Sequence, residues 1–144
     1  MKPHFTAIRR KALSAPARHL QSKNLVVAPA LDYGCGRGKD MEILGCDGYD
    51  PHWAPVDLSE HTGAYQTILC TYVLNVVPEG QQADILTDIL RRLAPGGVAY
   101  IAVRRDTAEM REQRLVRLPL PVLRETSRLC IYEMQKSPGP FSGT

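Results

Sequence analysis

The chain lacks most of the features that would assign a protein at a glance. No run of eighteen apolar residues occurs in its 144, so no membrane-spanning helix is expected. The basic N-terminus has no apolar stretch ending in a small-residue cleavage site, so no secretory leader is expected either. Its four cysteines, Cys35, Cys46, Cys70 and Cys130, form no C-x-x-C pair, and no histidine stands at a metal-binding spacing from another ligand. That argues against a zinc site or a disulfide framework and for four reduced thiols in a cytoplasmic protein. No internal repeat or long low-complexity run is present.

What is present is ordinary in amount and uneven in distribution. Apolar residues make up 44% and charged residues 23%, as in soluble globular proteins. A chain near this length folds as one domain that hides roughly 70% of its unfolded surface. We expect a single domain over 1–136 and a flexible Pro/Gly/Ser tail over 137–144. The net charge is +3, but residues 1–23 hold six bases and no acid, whereas 24–100 hold four bases and ten acids. Residues 101–144 turn basic again, with eight bases and five acids. Basic ends around an acidic middle can attract an anionic substrate or a nucleic acid, and they can equally be a solvated surface.

The apolar spacing predicts an alternation of strands and helices. Residues 7–22 read as one helix, or as two short ones with Ser14 capping the second and Pro16 in its first turn. Leu25–Leu31 reads as a buried strand and Lys39–Leu44 as a short helix stopped by Gly45. Cys46–Tyr49 is a second strand, 51–64 is irregular with room for a very short strand near Val56, and Tyr65–Val73 is the next strand. Gly80–Leu93 has the apolar stripe of an amphipathic helix. Pro95-Gly96-Gly97 reads as a turn before a strand over Val98–Val103. Thr107–Arg114 is expected to be helical, and Leu115–Leu118 and Arg128–Gln135 to be late strands forming an antiparallel hairpin. The alternation implies a compact Rossmann-like α/β fold with a mostly parallel sheet, whose ligand lies beyond the carboxyl ends of its strands.

Gly34, Gly36 and Gly38 sit at that place, after the first strand and before a helix. Glycines there let the backbone turn sharply and approach a ligand, and the helix that follows presents unpaired N–H groups. A dinucleotide fingerprint needs G-x-G-x-x-G; the spacing here is G-x-G-x-G, which argues against a nicotinamide dehydrogenase. Asp50 ends the second strand, where a carboxylate can accept two ribose hydroxyls.

Asp32-Tyr33-Gly34-Cys35-Gly36-Arg37-Gly38 resembles motif I of class I methyltransferases. Gly48-Tyr49-Asp50-Pro51 resembles the acidic position that follows it, and Leu93-Ala94-Pro95-Gly96-Gly97 the turn before their fifth strand. A narrower resemblance, through Ala7–Arg10, Leu13–Pro16, the glycine loop, Gly48–Pro51 and Tyr72–Val76, is to the methyltransferase domain associated with DNA phosphorothioation systems. It implies an S-adenosylmethionine-binding domain in a bacterial or phage setting. Carried over by position, Gly34, Cys35 and Gly36 would floor the methionine moiety, and Asp32 would hold its ammonium through water. Asp50, followed by Pro51, would bind the ribose, and Asp57 and Leu58 the adenine. Cys70 and Thr71 end the fourth strand, where a carbonyl would meet the methionine amine. Arg9 or Arg10 is a candidate for the methionine carboxylate.

The residues for chemistry are less defined. Asp/Asn-Pro-Pro-aromatic, used by amino-methylating DNA enzymes to hold a flipped base, is missing, and no Pro-Cys pair offers a nucleophile. Tyr72 and Asn75 stand where an acceptor is expected, His52 is a candidate base, and Arg104 or Arg105 could bind an anion. Three functions remain open: a methyltransferase for a small-molecule, nucleotide or protein acceptor, a non-catalytic cofactor-binding module that needs a partner protein, and a nucleic-acid methyltransferase.

Overall fold

A computed structural model describes residues 12–34, 36, 38–50, 62–106 and 113–139. The elements run α1 (Ala15–Ser22), β1 (Ala30–Tyr33), α2 (Lys39–Leu44), β2 (Asp47–Tyr49), β3 (Tyr65–Thr71), α3 (Glu79–Arg92), β4 (Leu93–Arg104), β5 (Val122–Glu125) and β6 (Leu129–Gln135). Among the described residues, six strands form one sheet in the order β2-β1-β3-β4-β6-β5. The pairs β1–β2, β1–β3 and β3–β4 are parallel. The last strand, β6, enters between β4 and β5 and runs antiparallel to both. The fold is therefore α/β with a mostly parallel sheet and a C-terminal antiparallel pair.

Both faces of the sheet are covered, and the period-2 alternation of the strands assigns each residue to a face. Ile68 and Cys70, Ala99, Ile101 and Val103, and Cys130 and Tyr132 point to the side where α3 places Ile89. Their neighbours Leu69, Tyr100, Ala102, Leu129 and Ile131 point to the side where α1 places Ala17 and Leu20. Near-continuous apolar runs are what strands buried on two faces require. α1 begins where its capping residue does, since the Ser14 side chain accepts from Ala17 N–H. α3 turns Ile85, Leu86 and Ile89 toward the core. Arg92 is buried too, and it reaches Asp88 (3.2 Å) and the Thr62 hydroxyl (3.1 Å).

Several expected elements fall elsewhere. The strand read at Leu25–Leu31 begins only at Ala30, because the chain first passes Pro29, whose nitrogen cannot donate to a ladder. Val27 is 54% exposed, and its N–H donates to the Thr67 hydroxyl instead. Pro95-Gly96-Gly97 is not a separate turn but an irregularity inside one long strand, with a register shift opposite Tyr65–Thr67. Gly97 crosses so close to β3 that an added Cβ would stand 2.9 Å from the Tyr65 carbonyl oxygen. Leu115–Leu118 has the alternating burial of a strand, with Val116 and Leu118 in the core, yet it joins no ladder. The hairpin partner of β6 is Val122–Glu125, whose mostly exposed residues carry little periodic signal. Of the helix expected at Thr107–Arg114, residues 113 and 114 are not helical and the rest lies outside the described residues. The same holds for the short strand expected near Val56 and for most of the N-terminal segment and tail.

Candidate functional site

Parallel strands bring their carboxyl ends to one edge, and the chemistry-bearing residues gather there. β1 ends into the glycine loop, β2 into Asp50, β3 into Tyr72–Asn75 and β4 at Arg104. Gly34 has φ +79° and its N–H donates to the Tyr49 carbonyl (2.7 Å). A Cβ added to Gly34 would overlap Cγ2 of Val73. This position thus combines a left-handed backbone with a close approach to the β3 end, and only glycine meets both. Gly36 and Gly38 also have positive φ, and Gly36 N–H donates to Oδ2 of Asp50 (3.1 Å). That bond ties the loop after β1 to the carboxylate after β2.

This arrangement fits a nucleoside cofactor. A carboxylate has about four acceptor positions, so Asp50 can serve Gly36 and ribose hydroxyls together. Asp32 is 3% exposed at the end of β1, under the loop. Cys70 is fully buried in β3, and burial raises its thiol well above the ordinary range. Burial, reinforced by Asp32, pushes the Cys46 thiol up to about 12. Neither is a thiolate nucleophile at neutral pH. Thr71, half-buried, closes β3 beside Cys70.

Tyr72 has φ +63°, a conformation costly for a bulky residue, and its N–H donates to the Ala102 carbonyl (2.8 Å). The Arg104 guanidinium carbon lies 4.7 Å from the centre of the Tyr72 ring, a cation–π contact at the carboxyl edge. Asn75 is completely buried. Its Oδ1 accepts from Arg104 N–H (2.8 Å), and its Nδ2 donates to the carbonyls of Arg114 (2.9 Å) and Arg104 (3.3 Å). The amide is spent on backbone, so Asn75 fixes the place of Arg104 rather than facing an acceptor.

The described residues therefore bring together Asp32, Gly34, Gly36, Asp50, Cys70, Thr71 and Tyr72. Cys35, Pro51, His52, Asp57 and Leu58, together with Arg9 and Arg10, lie outside the described residues. Sequence reading missed three supporting groups: Val73 against Gly34, Arg114 behind Asn75, and the buried Asp40 in α2. Only Asp40 left a trace, as an acid in the first turn of a helix.

A glycine turn, an acid on the neighbouring strand and a sheet whose parallel edge carries both define a nucleoside-binding α/β transferase. Residues 5–135 match the methyltransferase-domain family, and the chain belongs to it. It is an S-adenosylmethionine-dependent methyltransferase. The fold is shared with a Burkholderia thailandensis 1,6-didemethyltoxoflavin N1-methyltransferase bound to its substrate and S-adenosylhomocysteine. The identity is 18% and the TM-score 0.63, over 85% of this chain and 77% of that one. It is shared as well with the N-methyltransferase NodS of Bradyrhizobium japonicum, bound to S-adenosylhomocysteine, at 16% identity and TM-score 0.57, covering 84% of each chain. A third similar structure comes from work on converting a disulfide bond into a thioacetal group during echinomycin biosynthesis. It has 16% identity and TM-score 0.70, over 98% of this chain and 89% of that one. Comparison with curated proteins gave no match.

Proposed function

We propose that the methyl acceptor binds at the carboxyl edge between the glycine loop and the Tyr72–Arg104 pair. The observation that carries this reading is the bond from Gly36 N–H to Asp50, which joins the two halves of the cofactor cradle. Gly34, Cys35 and Gly36 floor the methionine moiety, Asp32 holds its ammonium through water, and Asp50 with Pro51 takes the ribose. Asp57 and Leu58 take the adenine, and the Cys70–Thr71 backbone meets the amine. Bound there, S-adenosylmethionine supplies an electrophilic methyl group on a sulfonium. The chain's own contribution is alignment, which carries much of such a reaction. Tyr72 lines the acceptor in this reading, with Arg104 over its ring; Asn75 keeps Arg104 in place, and His52 is the candidate base. A small-molecule, nucleotide or protein group remains the acceptor class, and the cytoplasm the compartment, since Cys46, Cys70 and Cys130 are all free thiols.

A nucleic-acid acceptor is the second reading. It is favoured by cations that meet in space: partial burial first, then Arg124 of β5 and Lys23, hold His19 of α1 below its ordinary pKa. The narrower resemblance to the domain of DNA phosphorothioation systems points to a bacterial or phage setting and fixes no acceptor. A non-catalytic module serving a partner protein is the third. Calorimetric titration with S-adenosylhomocysteine tests the cradle, and multiple turnovers to S-adenosylhomocysteine by the isolated chain eliminate the module. Binding to DNA or RNA that weakens steeply with salt supports the second reading, and salt-insensitive or undetectable binding removes it.

A further inference from the structure

Asp40 is the one buried residue of α2, a helix of six residues that follows the glycine loop directly. A helix this short has little stability of its own, and its apolar anchor is Leu44, only half-buried against the α1 side of the core. A buried carboxylate is costly unless it is paired. Both oxygens of Asp40 are paired with one residue 26 positions earlier: Oδ1 accepts from Ser14 N–H (2.8 Å) and Oδ2 from the Ser14 hydroxyl (2.5 Å). Ser14 is itself buried and caps α1. α1 is held against the sheet by Leu13, Ala17 and Leu20.

We infer that the Ser14–Asp40 pair is a latch that positions the glycine loop for the amino-acid half of the cofactor. This inference rests on the cofactor reading above. The upstream end of the loop is fixed by Gly34 on Tyr49 and against Val73. Its downstream end continues into α2, whose first turn is tied to the rest of the protein through Asp40 and whose last turn packs Leu44 on the core. By the cofactor reading, Gly34 and Gly36 floor the methionine moiety and Asp50 takes the ribose, on the other side of the bond from Gly36 N–H to Asp50. Loosening the latch therefore weakens the hold on the amino-acid half and spares the nucleoside half.

The test compares two ligands on one set of proteins. S-adenosylhomocysteine and 5′-methylthioadenosine, which lacks the amino-acid portion, are titrated calorimetrically into the wild-type chain, Ser14→Ala, Ser14→Thr and Asp40→Asn. Thermal melts establish which variants are folded. Ser14→Ala is expected to bind S-adenosylhomocysteine roughly three- to tenfold more weakly, the scale of one lost hydrogen bond. The affinity for 5′-methylthioadenosine stays within about twofold, and Ser14→Thr, which keeps the hydroxyl, restores the first ligand. If Ser14→Ala does not fold, Asp40→Asn, of nearly the same size, is read in its place with the same expected ratio. Unchanged binding of both ligands, or equal weakening of both, overturns the latch. Absence of S-adenosylhomocysteine binding by the folded wild-type chain overturns the cofactor reading itself, and the latch with it.

Discussion

The sheet has two unlike halves. On the cofactor side β1 and β2 span 4 and 3 residues, and β1 gives way at once to the glycine loop. On the other side β4 spans 12 residues and is paired with β6 from Val98 to Arg104. One half is a framework of long ladders buried on both faces. The other is a set of short strands whose ends carry the chemistry. Ligand-binding residues are commonly set on loops held by a rigid scaffold, and such regions are drawn from the less stable part of a structure. The difference implies that damage to the framework should appear as lost stability, and damage to the site as lost affinity.

Gly34 lies where that separation should fail, and Gly34→Ala should have the largest effect. It forces a side chain into a left-handed backbone and against Val73. We expect about 2–5 kcal/mol of lost stability in urea unfolding together with loss of S-adenosylhomocysteine binding. Asn75→Ala tests the framework. It leaves the Arg104 N–H and the Arg114 carbonyl without their side-chain partner, at a cost of about 2–4 kcal/mol. The cofactor affinity of the folded fraction should change little; a large affinity loss without destabilisation would break the comparison. Asp50→Ala tests the site. Cofactor binding should weaken by roughly 1–3 kcal/mol in calorimetry, with a smaller change in unfolding.

The smallest effect concerns pH. Burial raises Cys46 from 9.0 to about 12, and Cys70, Tyr33 and Tyr65 are raised chiefly by burial as well. Each of these folded values lies above the unfolded one. Their stabilising contribution is full below about pH 9 and is lost as pH rises through the folded values. The urea midpoint should accordingly be lower at pH 10.5 than at pH 8, and a midpoint that rises would contradict these burials.

Much of the fold was legible in the residues. α2 and its stop at Gly45, the capping of α1 by Ser14 and the stripe of α3 all follow from local rules. β5 was not legible, because its residues are largely exposed and its pairing depends on β6. Leu115–Leu118 misled for the opposite reason, since its burial alternates without any ladder. At the site, the glycine loop and Asp50 could be read from spacing. Asn75 could not be assigned its role, because an asparagine after a strand suits a turn, a ligand or a clamp equally well.

The order of strands and helices as far as β4, the glycine loop and the acid that answers it could all be read from the residues alone. Those depend on residues that are neighbours in the chain, where periodicity, capping and backbone freedom act. That Asp40 closes on Ser14 and that Asn75 holds Arg104 and Arg114, pairs separated by 26, 29 and 39 positions, came from the packed fold. A buried polar group must find a partner, but which one it finds is settled by how the layers pack.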